Sequence, residues 1–292
     1  HDEYESNVEK LKAKGKSDNE ARKAFNHTFV VPSDANWDEL FGTTKSIGSK
    51  LNKIARRIED ENKRLTGVLT ASKFDDKNNF PDNIMEELLI HFNKHNLSND
   101  NLVKPDIFGD AYEYLLAEFA SETKKKGGQF YTPHEVVRLL VLLTKPKEGM
   151  RICDPTCGSG GMLVQSWSFV KEKKGNPDNI TLHGQESNYS TVGMSKMNLV
   201  LHGVSDFRIE HGDTLDNPLL QEDGKLLSYD RVLANFPFSE NWKAQGKEND
   251  PYDRFRLGIP QAKDKADFAF IQHMYSTLND KGQPAILSSQ GV

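Results

Sequence analysis

The chain has 292 residues, a formal net charge of −5 and an isoelectric point of about 6.0. This length allows more than one domain, and the acidic balance excludes the global basic field that many nucleic-acid-binding domains carry. The two cysteines, Cys153 and Cys157, have no histidine cluster beside them. We therefore expect neither a zinc site nor a disulfide framework, which fits a reducing compartment. With no apolar run of membrane-helix length and no visible signal peptide, we expect a cytoplasmic protein with no membrane partner.

Residues 1–108 are polar and rich in charge. Helical periodicity recurs in segments such as 47–65 and 84–92, and clusters of Asn, Asp and Lys separate these segments. We interpret residues 1–108 as an α-helical N-terminal domain, incomplete because the sequence starts at His1 without methionine. Residues 109–292 form a second domain, which we expect to be truncated because the sequence stops just after a strand-like run.

The second domain opens with a helical segment at 110–123, whose expected role is packing between the two domains. A stretch rich in lysine and glycine follows, and then the segment Gln129-Phe-Tyr-Thr-Pro133. Thr132, Pro133 and Glu135 have the pattern of a helix start, with Thr132 as N-cap and Glu135 closing a capping box. A well-capped helix explains this segment by itself, but a helix N-terminus can also hold one end of a small ligand.

Residues 151–162 read Arg-Ile-Cys-Asp-Pro-Thr-Cys-Gly-Ser-Gly-Gly-Met, which predicts a strand, a tight glycine loop and the start of a helix. Glycine lets a ligand approach the backbone closely, and the helix offers free N–H groups. Asp154 at the strand tip would repel a phosphate and attract an ammonium group. The spacing also departs from a dinucleotide fingerprint, because Asp-Pro-Thr-Cys precedes Gly158. An ordinary βα turn with glycines for packing stays the alternative.

Two later strands also end in an acidic residue, Glu186 and Asp213. A carboxylate at the first position can accept both hydroxyls of a ribose, and one at the second can take the amino group of an adenine. Each acid alone is more simply a capping or solvated residue. Ligands of open α/β sheets, however, bind beyond the carboxyl ends of the strands, so Asp154, Glu186 and Asp213 would share one crevice.

A fourth strand at 229–234 leads into Asn235-Phe-Pro-Phe238. An amide side chain and neighbouring backbone carbonyls can accept both hydrogens of a planar NH₂ group, which exposes the lone pair of its nitrogen. An aromatic ring at Phe238 can stack on the base that carries this group once the base has left the duplex. Pro237 fixes φ and stiffens the loop. The alternative is a proline-containing loop that happens to be aromatic.

Five segments in this order resemble S-adenosylmethionine-dependent DNA adenine-N6 methyltransferases: Gln129-Phe-Tyr-Thr-Pro133, Asp154-Pro-Thr-Cys-Gly-Ser-Gly-Gly161, Gly184-Gln-Glu186, Gly212-Asp-Thr-Leu215 and Asn235-Phe-Pro-Phe238. More closely, they are similar to the modification subunit of Type I restriction-modification enzymes. The resemblance covers roughly residues 106–292. It implies an α/β fold, with a Rossmann-like S-adenosylmethionine-dependent methyltransferase catalytic domain at 109–292 after the α-helical N-terminal domain.

By this resemblance the cofactor is S-adenosylmethionine, with Asp154 near the methionine ammonium, Glu186 on the ribose hydroxyls and Asp213 on the adenine amino group. The implied cofactor-binding residues are Gln129, Phe130, Tyr131, Thr132, Pro133, His134, Asp154, Pro155, Thr156, Cys157, Gly158, Ser159, Gly160, Gly161, Glu186, Asp213, Thr214 and Leu215. The implied catalytic residues are Asn235, Phe236, Pro237 and Phe238, which would support direct in-line transfer of a methyl group to adenine N6. No metal is implied.

The family pattern of the catalytic loop is Asn-Pro-Pro-Phe or Asn-Pro-Pro-Tyr, and Phe236 replaces the first proline. This departure bears on the rigidity of the loop and hence on rate. The resemblance implies duplex DNA as substrate and, as partners, a separate DNA-specificity subunit, a second copy of this subunit and a restriction subunit. Two alternatives stay open. One is methylation of a protein glutamine amide by a similar loop, and the other is a non-catalytic, cofactor-binding scaffold, which Phe236 alone favours.

Overall fold

The computed structural model describes residues 2–23, 29–97, 101–102, 106–123, 131–238, 240–260 and 265–289. The chain divides into two compact units, His1–Ile107 and Phe108–Val292. The predicted boundary at 108/109 and the predicted truncation of both domains stay predictions. None of the helices in the described ranges is long and apolar enough to cross a membrane.

The described helices of the first unit are α1 (Asp2–Ala13), α2 (Asp18–Ala21), α3 (Trp37–Phe41), α4 (Ile47–Glu61) and α5 (Asp82–Asn93). Helix α4 has apolar residues at helical spacing, and Ile47 and Ile54 are buried in one cluster with Met85 and other apolar side chains of the unit. Gly48 lies in the same helix, and a Cβ there would lie 1.8 Å from the carbonyl oxygen of Phe74. Glycine therefore allows α4 to pack directly against that backbone.

The second unit contains the helices α6 (Ile107–Thr123, from Phe108 onward), α7 (His134–Thr144), α8 (Gly161–Glu172), α9 (Tyr189–Leu201) and α10 (Asp267–Ser276). Its strands are β1 (Arg151–Asp154), β2 (Thr181–Glu186), β3 (Arg208–His211), β4 (Gln221–Glu222), β5 (Lys225–Leu226), β6 (Tyr229–Asn235) and β7 (Leu278–Leu287). Strands β4 and β5 form a separate antiparallel pair, and the other five form one sheet in the order β3-β2-β1-β6-β7.

Every pairing in the five-stranded sheet is parallel. Both faces of the sheet are covered, because neighbouring residues of a strand belong to different apolar clusters. Ile152 and Leu233 pack in a cluster with side chains of α7, α8 and α9, whereas Cys153 and Val232 pack in a cluster with α10. A strand that is buried on both faces has a nearly continuous apolar sequence. The predicted Rossmann-like α/β fold is confirmed.

Parallel pairing brings the carboxyl ends of β1, β2, β3 and β6 to one edge of the sheet. Strand order reverses at β1, whose neighbours are β2 on one side and β6 on the other. Open α/β sheets bind ligands in the crevice at such a switch point. The last residues of β1 and β6, Asp154 and Asn235, therefore end on either side of this crevice.

The N-cap residue and the capping box predicted for α7 are wrong. The helix begins at His134 with Pro133 as N-cap and no capping hydrogen bond from a side chain. Thr132 lies before the N-cap, and its hydroxyl accepts a hydrogen bond from Asn235 Nδ2 at 3.0 Å. A contact distant in sequence thus replaces the expected local one.

Candidate functional site

A cleft lies at the switch point of the sheet and encloses about 540 Å³, with the open solvent at its mouth counted. Ten of the predicted site residues line it: Tyr131, Thr132, His134, Asp154, Thr156, Cys157, Gly158, Ser159, Gly161 and Asn235. The structure therefore brings the glycine loop, the start of α7 and the end of β6 around one space.

Other predicted site residues in the described part of the chain lie outside this lining. They are Pro133, Pro155, Gly160, Glu186, Asp213, Thr214, Leu215, Phe236, Pro237 and Phe238. Two more, Gln129 and Phe130, lie outside the residues that the structure describes.

The glycine loop has a backbone shape that its glycines permit. Gly158 and Gly160 have φ angles of 50° and 79°, in the left-handed region that glycine adopts without strain. Gly160 is also the N-cap of α8, and a Cβ there would lie 2.6 Å from Ser195 Oγ. The loop therefore turns tightly into α8, and the N-terminal residue of this helix, Gly161, lines the cleft.

Glu186 fastens the glycine loop to the end of β2. Its Oε2 accepts the N–H of Gly158 at 3.1 Å, and its Oε1 accepts the N–H of Asn188 at 2.7 Å and the hydroxyl of Ser187 at 3.3 Å. The side chain of Glu186 is only 9% exposed. A carboxylate offers about four lone-pair positions, so these three bonds leave Glu186 capacity to accept about one further donor. The Glu186 carboxylate is thus a structural part of the glycine loop.

Asp154 is the buried acid of the cleft, with 2% exposure. Burial raises the pKa of Asp154 to about 8, and the nearby Glu186 carboxylate also acts to raise it. The N–H of Thr156, which donates to Oδ1 at 3.0 Å, acts in the opposite direction and lowers this pKa. A positively charged ligand would restore the ionised form. The electrostatics of this cleft therefore favour a cation beside Asp154.

Two buried polar atoms of the cleft, Thr156 Oγ1 and Asn198 Oδ1, have no hydrogen-bond partner among the residues that the structure describes. Buried polar groups are nearly always satisfied. Together with the Asp154 carboxylate, these oxygens form a set that suits a ligand with a positive charge and several N–H or O–H groups.

The Asp213 carboxylate closes a turn just beyond β3. Its Oδ1 accepts the N–H groups of Leu215 and Asp216 at 2.8 and 3.0 Å. Thr214 Oγ1 donates to the carbonyl of Pro155 at 2.5 Å, which ties the turn to the glycine loop. The structure thus joins the ends of β1 and β3 by a direct hydrogen bond.

Asn235 ends β6 with its amide in a fixed orientation. Because Nδ2 donates to Thr132 Oγ1, Oδ1 is the amide atom that can accept hydrogen bonds from a ligand. The two aromatic residues that follow differ in environment. Phe236 is 1% exposed and stacks on Phe270 with ring centroids 5.2 Å apart, whereas Phe238 is 44% exposed. Phe236 thus anchors the loop, and Phe238 is presented at the surface.

Sequence reasoning missed the part that α6 and α9 take in the site. Glu113 and Leu116 of α6 line the cleft, although only packing between domains was expected of this helix. From α9, Asn198 Nδ2 donates to the carbonyl of Ser159 at 3.0 Å, and Ser195 Oγ lies 3.8 Å from Cys157 Sγ. The available signal was the set of polar residues Ser195, Asn198 and His202, which recur at helical spacing beside the apolar residues of this segment.

The parallel sheet, with the glycine loop, the buried acid at the end of β1 and the asparagine at the end of β6 around one cleft, defines the class, a Rossmann-like α/β domain with a ligand site at its switch point. The chain belongs to the N-6 DNA Methylase family, whose model matches residues 103–292. A second model, the HsdM N-terminal domain, matches residues 1–104. The resemblance predicted from the sequence motifs is thereby confirmed.

Individual relatives agree with this assignment. The chain is 31% identical to the Type I restriction enzyme HindI methylase subunit of Haemophilus influenzae, and the match covers 89% of this chain and 62% of that subunit. It is 34% identical to the MjaVII methylase subunit of Methanocaldococcus jannaschii, with coverage of 94% and 48%. The chain therefore spans about half to three fifths of the length of these relatives.

A solved structure shows the same fold. The type I restriction-modification system methyltransferase subunit from Streptococcus thermophilus matches with a TM-score of 0.76 and 27% identity. The match covers 91% of this chain and 58% of that chain.

Proposed function

We propose that this chain is the catalytic part of a DNA adenine-N6 methyltransferase of the Type I restriction-modification class, with S-adenosylmethionine as its cofactor. The observation that carries the proposal is the placement of Asn235 in the same cleft as Asp154. The first residue suits a planar amino group, and the second suits a cation. A methyl donor and a base therefore have adjoining places at the carboxyl ends of β1 and β6.

The cleft fits the methionine end of S-adenosylmethionine, which supplies a methyl group on a sulfonium. Asp154 would face the ammonium. Beside it, Thr156 Oγ1 would accept or donate a hydrogen bond and Asn198 Oδ1 would accept one, since neither atom has a partner among the described residues. Glu186 would take the ribose hydroxyls and Asp213 the adenine amino group. The proposed cofactor set keeps Gln129, Phe130, Tyr131, Thr132, Pro133, His134, Pro155, Cys157, Gly158, Ser159, Gly160, Gly161, Thr214 and Leu215 as its further members.

Asn235 Oδ1 and a backbone carbonyl of the loop would accept the two hydrogens of the adenine amino group. These bonds draw the nitrogen toward sp³ character and expose its lone pair toward the methyl donor. Phe238 would stack on the extruded base, and Pro237 would stiffen the loop. Catalysis then rests on positioning and on polarisation by fixed dipoles, and it requires no covalent intermediate with the protein.

The proposed substrate is duplex DNA, and the proposed partners are a DNA-specificity subunit, a second copy of this subunit and a restriction subunit. The relatives that carry the comparison are named as methylase subunits of Type I restriction enzymes. The net charge of −5 also supports a division of labour, in which a partner supplies much of the contact with phosphate.

The two alternatives lose their support. The matched family is that of N-6 DNA methylases rather than of enzymes that act on a protein glutamine amide. The scaffold alternative relied on Phe236 alone. Because this side chain is buried against Phe270, packing can hold the loop in the way that a proline would.

The test is Asn235→Ala, assayed for transfer of a tritiated methyl group to duplex DNA with and without the specificity subunit. We expect the rate to fall by about 10²–10³-fold, as when a preorganised transition-state contact is removed. Cofactor affinity should stay nearly unchanged. Asn249→Ala, at an exposed position, is the matched control and should retain full activity. Full activity in Asn235→Ala would contradict the catalytic assignment.

A further inference from the structure

Arg254 is a buried arginine, 3% exposed, in the segment after the catalytic loop. A guanidinium has five N–H groups, and the structure accounts for all of them. Nε donates to the Asp250 carboxylate, Nη1 to the carbonyl of Thr214 at 2.9 Å and to His273 Nδ1 at 3.3 Å, and Nη2 to the carbonyl of Leu215 at 2.9 Å and to Asp250 Oδ1 at 2.6 Å. The side chain is therefore completely fixed.

The groups around Arg254 match its charge. Burial alone would raise the pKa of Asp250, but the hydrogen bonds from Arg254 outweigh this effect, and the pKa lies below its ordinary value. Burial, and then the charge of Arg254, lower the pKa of His273 to about 3, so its neutral ring can accept the Nη1 hydrogen bond. Hydrophobic residues often stabilise a protein as well as a buried ion pair does. The pair therefore points to a geometric role.

The geometry that Arg254 fixes is that of the Asp213 turn, residues 213–216. Asp213 Oδ1 closes this turn from within by accepting two of its N–H groups. Arg254 holds it from outside by binding the carbonyls of Thr214 and Leu215. Lys247 Nζ donates to the same Leu215 carbonyl at 3.0 Å and to Asp216 Oδ1 at 2.8 Å. Arg254 and Lys247 thus hold the Asp213 turn in place by hydrogen bonds. We assign the Asp213 carboxylate to the adenine end of the cofactor.

We propose that Arg254, with Lys247 on the same carbonyl, is a positioning residue that sets the Asp213 carboxylate for recognition of the adenine amino group of the cofactor. The inference rests on the proposed function, because that function assigns Asp213 to adenine. Arg254 itself touches only protein groups. Lysine cannot replace it, because an ammonium lacks the planar fork that reaches two carbonyls and a carboxylate together.

The test compares the dissociation constants of two probes with the 292-residue chain by isothermal titration. One probe is S-adenosylhomocysteine, and the other is its deaminated analogue, with hypoxanthine in place of adenine. In the unmodified chain we expect the analogue to bind at least about tenfold more weakly, because a hydrogen bond to a charged acceptor is lost. In Arg254→Lys this ratio should fall toward one. Loss of stability alone would weaken both probes equally and leave the ratio unchanged.

Arg256→Lys is the matched control, because Arg256 is exposed two residues further along the chain and should keep the ratio. If the unmodified chain binds neither probe, the proposed function fails. If it discriminates between the probes and Arg254→Lys discriminates equally well, the positioning role is wrong.

Arg254→Lys could also fail to fold, because an ammonium cannot donate to all the buried acceptors that the guanidinium serves. Lys247→Met then carries the test, since its side chain is 14% exposed and donates to the same turn. We expect it to lower the ratio by about two- to fivefold, as expected for one hydrogen bond of modest strength. Lys243→Met, at an exposed position, serves as its control. An unchanged ratio in Lys247→Met overturns the proposal.

Discussion

The glycine loop at 154–161 and the loop that begins at Asn235 border the same cleft, but they are held in place by different means. Main-chain N–H groups and small side chains fix the glycine loop, through the bond from Gly158 to Glu186 and the close approach of Gly160 to Ser195. Large buried side chains fix the second loop, above all Phe236. A loop that a ligand must approach closely has no room for bulky anchors, whereas a loop that presents side chains can be anchored by its neighbours.

Phe236→Ala should therefore have the largest effect on stability in the second loop. It removes a fully buried ring that stacks on Phe270, and such truncations cost about 3–5 kcal/mol. Phe238→Ala changes a residue that is 44% exposed and should cost less than about 1 kcal/mol, in line with surface substitutions. Urea unfolding of both variants measures the difference.

The losses of methylation rate in Phe236→Ala and Phe238→Ala should have the opposite order to their losses of stability. At a temperature where both variants are folded, Phe238→Ala should lose more of its methylation rate, because stacking on a base contributes about 1–3 kcal/mol. Equal losses of stability in the two variants would contradict the division between anchoring ring and presented ring.

Gly160→Ala should show that the glycine loop depends on backbone space. A left-handed φ costs a non-glycine residue about 1–2 kcal/mol, and the new Cβ would lie 2.6 Å from Ser195 Oγ. Adding Ser195→Ala removes that contact, so the double variant should be more stable than the sum of the single effects. Strictly additive free energies of unfolding would contradict the predicted steric conflict.

Gly161→Ala is the matched comparison within the same loop. Gly161 is helical, and a Cβ there meets no atom within 4 Å among the residues that the structure describes. Alanine should therefore keep or raise stability, by up to about 1 kcal/mol. The methyl group would enter the cleft that Gly161 lines, and cofactor affinity should fall while stability does not.

The parallel sheet and the order of its motifs could be predicted from the sequence, because buried strands and glycine turns leave local patterns. Several of the contacts that complete the site leave none. Arg254 binds carbonyls 39 and 40 residues away, and no spacing rule connects them. A local rule predicted Thr132 as an N-cap. In the structure its hydroxyl instead accepts a hydrogen bond from Asn235, 103 residues further along the chain. Local propensity thus predicts elements, whereas tertiary hydrogen bonds decide which polar groups are used.

The pH dependence of cofactor binding tests the electrostatics of the glycine loop. Since burial raises the pKa of Asp154 to about 8, the ligand-free protein holds a proton there at pH 6 that a bound cation would expel. Affinity should rise by about tenfold between pH 6 and pH 7, because one pKa unit corresponds to about 1.4 kcal/mol. Isothermal titration in buffers of different ionisation enthalpy measures both the affinity and the released proton.

Asp154→Asn provides the control for this pH dependence, because it removes the titrating group and should flatten the profile. Glu113 Oε2 and His134 Nδ1, which lie 3.7 Å apart at the same cleft, are unchanged between the two proteins. Because the pKa of Asp154 is raised only in the folded protein, the unfolded chain loses the Asp154 proton at a lower pH than the folded protein does. The contribution of Asp154 to the stability of the ligand-free protein is therefore greatest in acid, below the ordinary carboxyl pKa, and is lost as pH rises through about 8. If cofactor affinity depends equally on pH in the unmodified protein and in Asp154→Asn, Asp154 is already ionised before the cofactor binds.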